Sequence, residues 1–549
     1  MDTKRLVLAL FLAAAVVAVT PILFPVPRRS NVATRVLRDS VPSLSAGTTM
    51  TSVAPSPLLR KSADSLGLKQ TGTPEVIVVN TQKAQYKLSS MGATPYAVLM
   101  KAYRNLAPSG GLVELRSSVE PLLRYSVVAE GDTIPLGSVV FKSTRTTSPP
   151  DTEQLIYTAM VNGMRIVVSY RFRSFSYVVD VSGVVEGTTG RSYLLIGLPS
   201  TLPAAESDTL GDLRTLAYSF KSTRENAQGV MFSKLEPGTQ QLEPGPLTWA
   251  AVRNKYFVFG LINPVGSSFD ELTLKGGPRT SKTATNASAT VVKSLKNGRF
   301  EFEIYAGPQQ STQLLAVGRD FDNVNPYGWS VLQGVVNPIA ALCLKLLLWM
   351  HDNLKLSYGW VLVIFGVLVR IALWPLNQSA MRSSLKMQEI QPQLAEVQKR
   401  YKDKPEKQRE EMMRVYKEAG ASPFSALSGC LPALIPMPVL FALFFVFQNT
   451  IEFRGVPFMW LFDISVKDPF YILPVLMGLS MFLLSWIGLR NAPPNPQAKM
   501  MGYMFPVMMV FFLANMASGL NLYYTAQNIA ALPQQWLLAR ERAKRQRPA

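Results

Sequence analysis

Six long apolar runs constrain this chain more than any other feature of its sequence. Leu6 to Phe24, Tyr358 to Leu376, Leu431 to Phe447, Tyr471 to Leu489, Met500 to Ala517 and Gly519 to Leu538 carry almost no charge. Each approaches the ~20 residues that an α-helix needs to cross a hydrocarbon layer of roughly 30 Å. Lipid offers the backbone no hydrogen-bond partners, so such runs cross it as helices. The sequence therefore predicts a multi-span α-helical membrane protein with six transmembrane helices. Residues 1–26 form a lone first span, in which Lys4 and Arg5 precede the apolar run and no well-placed small-residue cleavage site follows it. That pattern favours an uncleaved signal anchor.

Between the first and second spans lies extramembrane material of two kinds. Residues 27–73 are rich in Ser, Thr, Pro and Ala without apolar periodicity, the composition of a flexible linker. Residues 74–324 contain short β-branched or aromatic segments between Gly, Pro and Ser turns, among them Glu75 to Val79, Tyr86 to Leu88, Arg165 to Tyr170, Ser176 to Val181, Tyr193 to Ile196, Tyr256 to Leu261 and Phe300 to Ala306. An all-β sandwich domain is expected there. Residues 325–350 combine aromatic and apolar positions with Lys345 and read as an amphipathic helix in the interface plane. Asn337, Pro338 and Lys345 count against a further crossing.

Residues 379–422, between the second and third spans, are highly charged. Met387, Ile390, Leu394, Val397 and Tyr401 recur at helical steps, as do Met412, Val415 or Tyr416, and Ala419, with Lys402-Asp-Lys-Pro405 between the two sets. An antiparallel helical hairpin follows, its first arm kinked at Pro392. The hairpin holds ten basic residues, from Arg382 to Lys417, and the basic tail 541–549 holds more. Positive charge marks the cytoplasmic side, so hairpin and both termini are placed inside and the β-rich domain outside. Arg28, Arg29, Arg35 and Arg38 oppose this locally, but a large domain can translocate regardless of nearby charge. Much of the net charge of +20 lies beside the spans, where it sets topology and meets anionic lipid. No direct nucleic-acid specificity is expected.

The residue that carries chemistry is Arg370, about twelve residues into the second run and so roughly 18 Å deep at 1.5 Å per residue. A charge at that depth faces protein or a wet cavity, or snorkels to the surface. The fourth run and the stretch from Met500 to Leu538 contain no Asp or Glu to neutralise it. In the last run Asn521, Tyr524, Thr525, Asn528 and Gln535 share a helical face. With Asn377 and Gln448 near span ends, these residues outline a hydrophilic groove around Arg370. Interhelical hydrogen bonding explains each amide taken singly equally well. Such a groove can hold the acidic or polar end of an incoming chain while its apolar part passes into lipid. The drive would be apolar burial of about 25 cal/mol per Å², with about 2.3 kcal/mol per charge per 100 mV from the membrane potential.

Other classes are weaker. Only Cys343, Cys430 and His351 could serve metal or thiol chemistry, too few and too apolar in setting for a metal site or disulfide framework. His351 reads as an interfacial residue. No nucleotide-binding motif, cofactor motif or nucleophile elbow is present, and the core runs after Tyr358 hold no lysine before Lys499 that could activate an intramembrane nucleophile. The protein is read as no enzyme, with no cofactor. A small-anion transporter or channel using Arg370 as its binding charge is the alternative, although the internal repeats common in transporters are not found.

Five motifs recur in an order that resembles the YidC/Oxa/Alb family of membrane protein insertases: Val369-Arg-Ile-Ala-Leu-Trp-Pro-Leu376, Glu411-Met-Met-Arg-Val-Tyr-Lys417, Gly429-Cys-Leu-Pro432, Asp468-Pro-Phe-Tyr-Ile-Leu-Pro474 and Ser518-Gly-Leu-Asn-Leu-Tyr-Tyr524. A β-rich domain after a first span resembles the Gram-negative form of that family. The resemblance implies a five-helix insertase core over residues 351–540, with a groove open to cytoplasm and lipid and Arg370 lining it. Tyr524 matches a tyrosine placed near client helices. The hairpin, with Met387, Leu394, Met412 and Tyr416, would receive clients, and the outer domain would be a periplasmic β-supersandwich. Location in the bacterial inner membrane, nascent or newly made membrane proteins as clients, and the Sec translocon and ribosome as partners are implied on the same basis. The run Ser422 to Cys430 is longer than the family's usual segment, and Pro436 stands where a glutamine is usual.

Overall fold

The computed structural model describes residues 73–116, 120–148, 152–188, 190–279, 284–325, 333–375, 378, 390, 393–394, 396–402, 404–418, 437–490 and 496–545. The expected first span, the linker, Asn377, Met387 and most of the segment 379–392 lie outside them. The chain divides into two compact units, one built on β-sheet and one on the C-terminal helices.

In the β unit, Val76–Asn80, Ala84–Ser89, Thr94–Arg104 and Leu112–Arg116 form a four-stranded sheet in chain order. A fourteen-stranded sheet runs from one edge through Asp132–Pro135, Arg124–Ala129, Tyr193–Gly197, Ala287–Ser294, Phe269–Gly276 and Gln240–Arg253. It continues through Phe257–Ile262, Arg299–Pro308, Val178–Glu186, Met164–Arg173 and Thr152–Val161 to the other edge at Lys142–Ser148. Ala217–Ser222 pairs with Gln240–Arg253, and Gln228–Met231 pairs with Ala217–Ser222. All seven segments singled out in the sequence lie in or overlap these strands.

Alternation explains the layer structure. Along Met164–Arg173, Met164, Ile166, Val168, Tyr170 and Phe172 are buried while Arg165, Arg171 and Arg173 are exposed, the period of two of a strand with one face on a core. The strand is joined to its antiparallel neighbour by Asn162-Gly163, both at positive φ (50° and 79°), with Val161 facing Met164. Such a two-residue turn matches the twist of the paired strands, and only residues such as Asn and Gly occupy it without strain. Tyr125 and Tyr170 place their hydroxyls 2.9 Å apart in the core, and Tyr170 donates to the Ala93 carbonyl at 2.7 Å.

The helical unit contains α1 (Gln333–Leu354), α2 (Tyr358–Ala372), α3 (Pro405–Glu418), α4 (Met437–Asn449), α5 (Ile472–Leu489), α6 (Pro496–Leu513) and α7 (Ser518–Arg545). The α7 helix packs along both α2 and α5, α6 packs on α5, and α1 lies along α4. Their shared core includes Leu347, Leu362, Phe365, Leu443, Phe447, Met477 and Tyr523. At Gly478 of α5 a Cβ would collide with the Val510 side chain of α6, so the missing side chain lets these helices approach closely.

Outward faces are as apolar as the core. Val475, Leu476, Leu479 and Trp486 on α5 and Met504, Met508, Phe511 and Phe512 on α6 are exposed. Patches of this extent mark a surface that meets lipid or a partner rather than water alone. Among the described residues, Ile472–Leu489 alone has both the length and the apolarity to cross a bilayer. Tyr358–Ala372, Val439–Asn449 and Lys499–Leu513 are shorter apolar helices.

Of the stretch 325–350 expected as an interfacial helix, the described part is helical and belongs to α1, which runs on to Leu354. Val336, Ala340, Cys343, Leu347 and Met350 are buried, while Leu342, Leu346 and Trp349 are exposed. His351 closes the turn between α1 and α2: its Nδ1 lies 2.7 Å from the Leu356 carbonyl, and its ring stacks on Tyr358 with centroids 3.9 Å apart. Two arms of a hairpin meet where Gln408 Nε2 donates to the Gln398 carbonyl at 3.2 Å and Gln398 Nε2 approaches Met412 Sδ at 3.9 Å. Pro405 opens α3, where its missing N–H loses no helical bond.

Candidate functional site: Arg370 and the polar face of the last helix

Arg370 sits in the last turn of α2 and is half-buried. Its Nη2 donates to Gln534 Oε1 of α7 at 2.8 Å. Gln534 is 1% exposed, and its Nε2 donates to the Trp374 carbonyl just beyond α2 at 3.2 Å. The amide therefore bridges the guanidinium to the end of the helix that carries it. Arg370 Nε has no partner, and no ion pair reaches Arg370 among the described residues. A neutral amide positions the charge without cancelling it, so the field of the guanidinium remains available to an anionic group.

The polar stripe of α7 makes bonds along its own helix and to its neighbours. Asn528 Nδ2 donates to Ser480 Oγ of α5 at 3.0 Å, and that hydroxyl donates to the Met477 carbonyl at 2.7 Å. A Cβ on Gly488 of α5 would run into the Gln535 amide. Asn528 and Gln535 thus mark the seam between α7 and α5, the interhelical reading. Asn521 is fully buried, its Nδ2 donating to the Leu513 carbonyl at 3.0 Å. Thr525 Oγ1 returns to the Asn521 carbonyl at 2.8 Å, a bond along the helix. Tyr524 lies half-buried against Tyr523, ring centroids 5.3 Å apart. Among the described residues, the Tyr524 hydroxyl and Asn521 Oδ1 have no hydrogen-bond partner. Buried polar atoms rarely stay unpaired, and these two, with Arg370 Nε, are among the buried atoms that do. Gln448, in the last turn of α4, is exposed.

On the hairpin, Leu394 is buried, Met412 and Tyr416 are half-buried, and an open depression of about 730 Å³ follows the other side of α3, lined by Glu406, Arg409, Glu410, Met413, Arg414 and Lys417. Gln534 is the site residue that sequence reasoning missed. It is one position off the stripe that was followed, and no local spacing tells which amide of one helix meets an arginine of another. A usable signal existed: an intramembrane arginine without an acid needs a neutral acceptor, and adjacent Gln534 and Gln535 point in two directions around a helix.

Comparison with known proteins covers both units. The family described as 60Kd inner membrane protein matches residues 349–546, and the family described as YidC periplasmic domain matches residues 76–341. The membrane protein insertase YidC of Chlorobaculum tepidum is 31% identical over 510 residues, covering 86% of this chain and 84% of that protein. Its counterpart in Chlorobaculum parvum is 30% identical over 516 residues, with the same coverage of 86% and 84%. A crystal structure of an active YidC insertase aligns with 85% of this chain and 93% of its own, at 19% identity and a TM-score of 0.33. With two family patterns in succession and relatives matched along most of their length, the chain belongs to the YidC family of membrane protein insertases.

Proposed function

We propose that this protein is an inner-membrane insertase and chaperone. It takes hydrophobic segments of newly made membrane proteins from the cytoplasm and releases them sideways into the bilayer. Membership of the insertase family supports this reading, and the observation that carries its mechanism is Arg370, a guanidinium of α2 held by the Gln534 amide with no ion-paired acid among the described residues. The charge attracts the acidic or polar end of a client. Unpartnered Arg370 Nε, Tyr524 Oη and Asn521 Oδ1 supply further hydrogen-bonding positions. The client's apolar helix then leaves for lipid, driven by burial of roughly 25 cal/mol per Å². No bond is made or broken, so no enzymatic role is assigned.

The arrangement proposed is six spans with both termini cytoplasmic, the β unit periplasmic, and the basic hairpin inside, as positive charge requires. Met412 and Tyr416 on the hairpin would meet clients first, and the groove would hold them next. Sec translocon partnership follows the family resemblance, and ribosome partnership adds the basic hairpin and tail. The test is reconstitution in vesicles with a single-span client bearing an acidic N-terminal tail, beside the same client with a neutral tail. Insertion of the acidic client should fall several-fold in Arg370→Ala. Equal insertion by both proteins would overturn the role of the charge.

A further inference from the structure

The segment joining α4 to α5 is ordered on one side and apolar on the other. Its inner side is held by buried Phe453, Phe458, Leu461 and Ile464. Backbone bonds from Ser518 N to the Val466 carbonyl (2.7 Å) and from Gly519 N to the Ile464 carbonyl (2.9 Å) tie it to the start of α7. Its outer side presents Met459, Phe462, Phe470 and Tyr471, with Phe462 82% exposed.

Two of these side chains sit on backbone that large residues avoid. Met459 has φ 52° in a tight turn closed by reciprocal Phe458–Leu461 hydrogen bonds of 2.9 and 2.8 Å, and Tyr471 has φ 56° at the N-cap of α5. A left-handed conformation at a bulky residue costs on the order of 1–3 kcal/mol and persists where surrounding structure enforces it. Strain that turns apolar groups outward makes no sense in water. It does at the boundary of hydrocarbon and headgroups, where amphipathic aromatic side chains collect. Charge fits the same setting: between residues 455 and 471, Asp468 is buried, Asp463 is half-buried, and Lys467 is the exposed ion, a side chain suited to lipid phosphate. Exposed apolar side chains follow at Tyr471 and Ile472 and, along α5, at Val475, Leu476 and Leu479.

We propose that the 455–471 segment is a membrane-interface anchor, seating Met459, Phe462 and Phe470 among the headgroups and upper acyl chains of the bilayer leaflet into which α5 begins, with Lys467 at the phosphates. This rests on the reading of α5 as a membrane span. The occupant is phospholipid.

The test uses the full chain with Cys343→Ala and Cys430→Ala, reconstituted in phosphatidylethanolamine–phosphatidylglycerol bilayers. A nitroxide is attached at Phe462→Cys, Lys467→Cys or Leu479→Cys, and collision with oxygen, which favours lipid, is compared with collision with a water-soluble nickel chelate. The ratio at position 462 should exceed that at 467 several-fold and fall below that at 479. A lipid-type ratio at 479 with an aqueous ratio at 462 overturns the anchor while leaving α5 a span. Aqueous ratios at both overturn the membrane reading and the anchor with it. Low collision with both reagents at 462 means that protein covers the patch, which also overturns the proposal.

Discussion

Gln534 holds Arg370 through an amide turned so that Oε1 accepts from Nη2 at 2.8 Å and Nε2 donates to the Trp374 carbonyl at 3.2 Å. Charge and position are separated by this arrangement: the amide fixes where the guanidinium lies, and no acid among the described residues pairs with it. Replacing the amide by a carboxylate keeps the size and reach of the side chain but cancels the charge. Gln534→Glu should therefore lower insertion of an acidic-tailed client several-fold, close to the level of Arg370→Ala, while insertion of a neutral-tailed client changes little. Gln534→Leu, which leaves the charge but removes its positioning, should retain more acidic-client insertion than Gln534→Glu. Wild-type insertion by Gln534→Glu in the vesicle assay would show that net positive charge at this place is unnecessary.

Asp468 is a fully buried acid that organises the entry to α5. Its Oδ1 accepts from Phe470 N at 3.0 Å and Trp460 Nε1 at 3.3 Å, and its Oδ2 accepts from Leu473 N at 2.8 Å. Removing a helix-capping acceptor and leaving buried donors unpaired costs about 2–3 kcal/mol. Asp468→Ala should lower the unfolding midpoint in detergent accordingly, and Asp468→Asn, which can keep the Oδ1 bonds, should lose less. Equal midpoints for Asp468→Ala and wild type would refute the capping role.

Gly478 leaves no room for a methyl group because the Val510 side chain occupies its place. Overpacking of this kind costs roughly 1–3 kcal/mol. Gly478→Ala should reduce thermal stability in detergent, and adding Val510→Ala should recover part of the loss. Additive losses in the double variant would mean that the α5–α6 contact is not what the glycine protects.

Lys293 gives the β unit a pH dependence. Its Nζ donates to Asn263 Oδ1 at 2.6 Å and to Ser267 Oγ at 2.9 Å, yet burial brings its pKa down from the ordinary 10.5 to about 8, against the opposing pull of Asp270 and Glu301. Between these two values the unfolded chain binds more protons than the folded one, so stability rises with pH. The contribution is complete above about 10.5 and is lost as pH falls through about 8. Denaturant midpoints of the sheet circular dichroism signal should rise from pH 8 to pH 10 relative to Lys293→Met. Parallel profiles for the two proteins would exclude the effect.

Much of the architecture could be read directly because it depends on local pattern. Alternation at Met164–Arg173 and the Asn162-Gly163 turn are properties of consecutive residues, and so is the apolar length of Ile472–Leu489. The site was legible only in part. Arg370 stood out because an arginine inside a long apolar run would be costly if that run crossed a bilayer. The stripe Asn521, Thr525, Asn528 and Gln535 was equally visible, but a stripe says which residues share a face and not what that face touches. In the fold Asn528 meets Ser480 and Thr525 bonds back to its own helix.

The sequence by itself determined that the chain has an apolar helical part, a β-rich part and an arginine, Arg370, inside an apolar run, since hydrophobic transfer and backbone hydrogen bonding act residue by residue along the chain. Tertiary structure alone decided that α7 turns Gln535 toward α5 and Gln534 toward Arg370. It also decided that His351 closes a turn and that Met459 and Phe462 point outward. The reason is that helix rotation and register are set by packing between segments more than a hundred residues apart, where a shift of one position, about 100° of helix rotation, exchanges one amide for its neighbour.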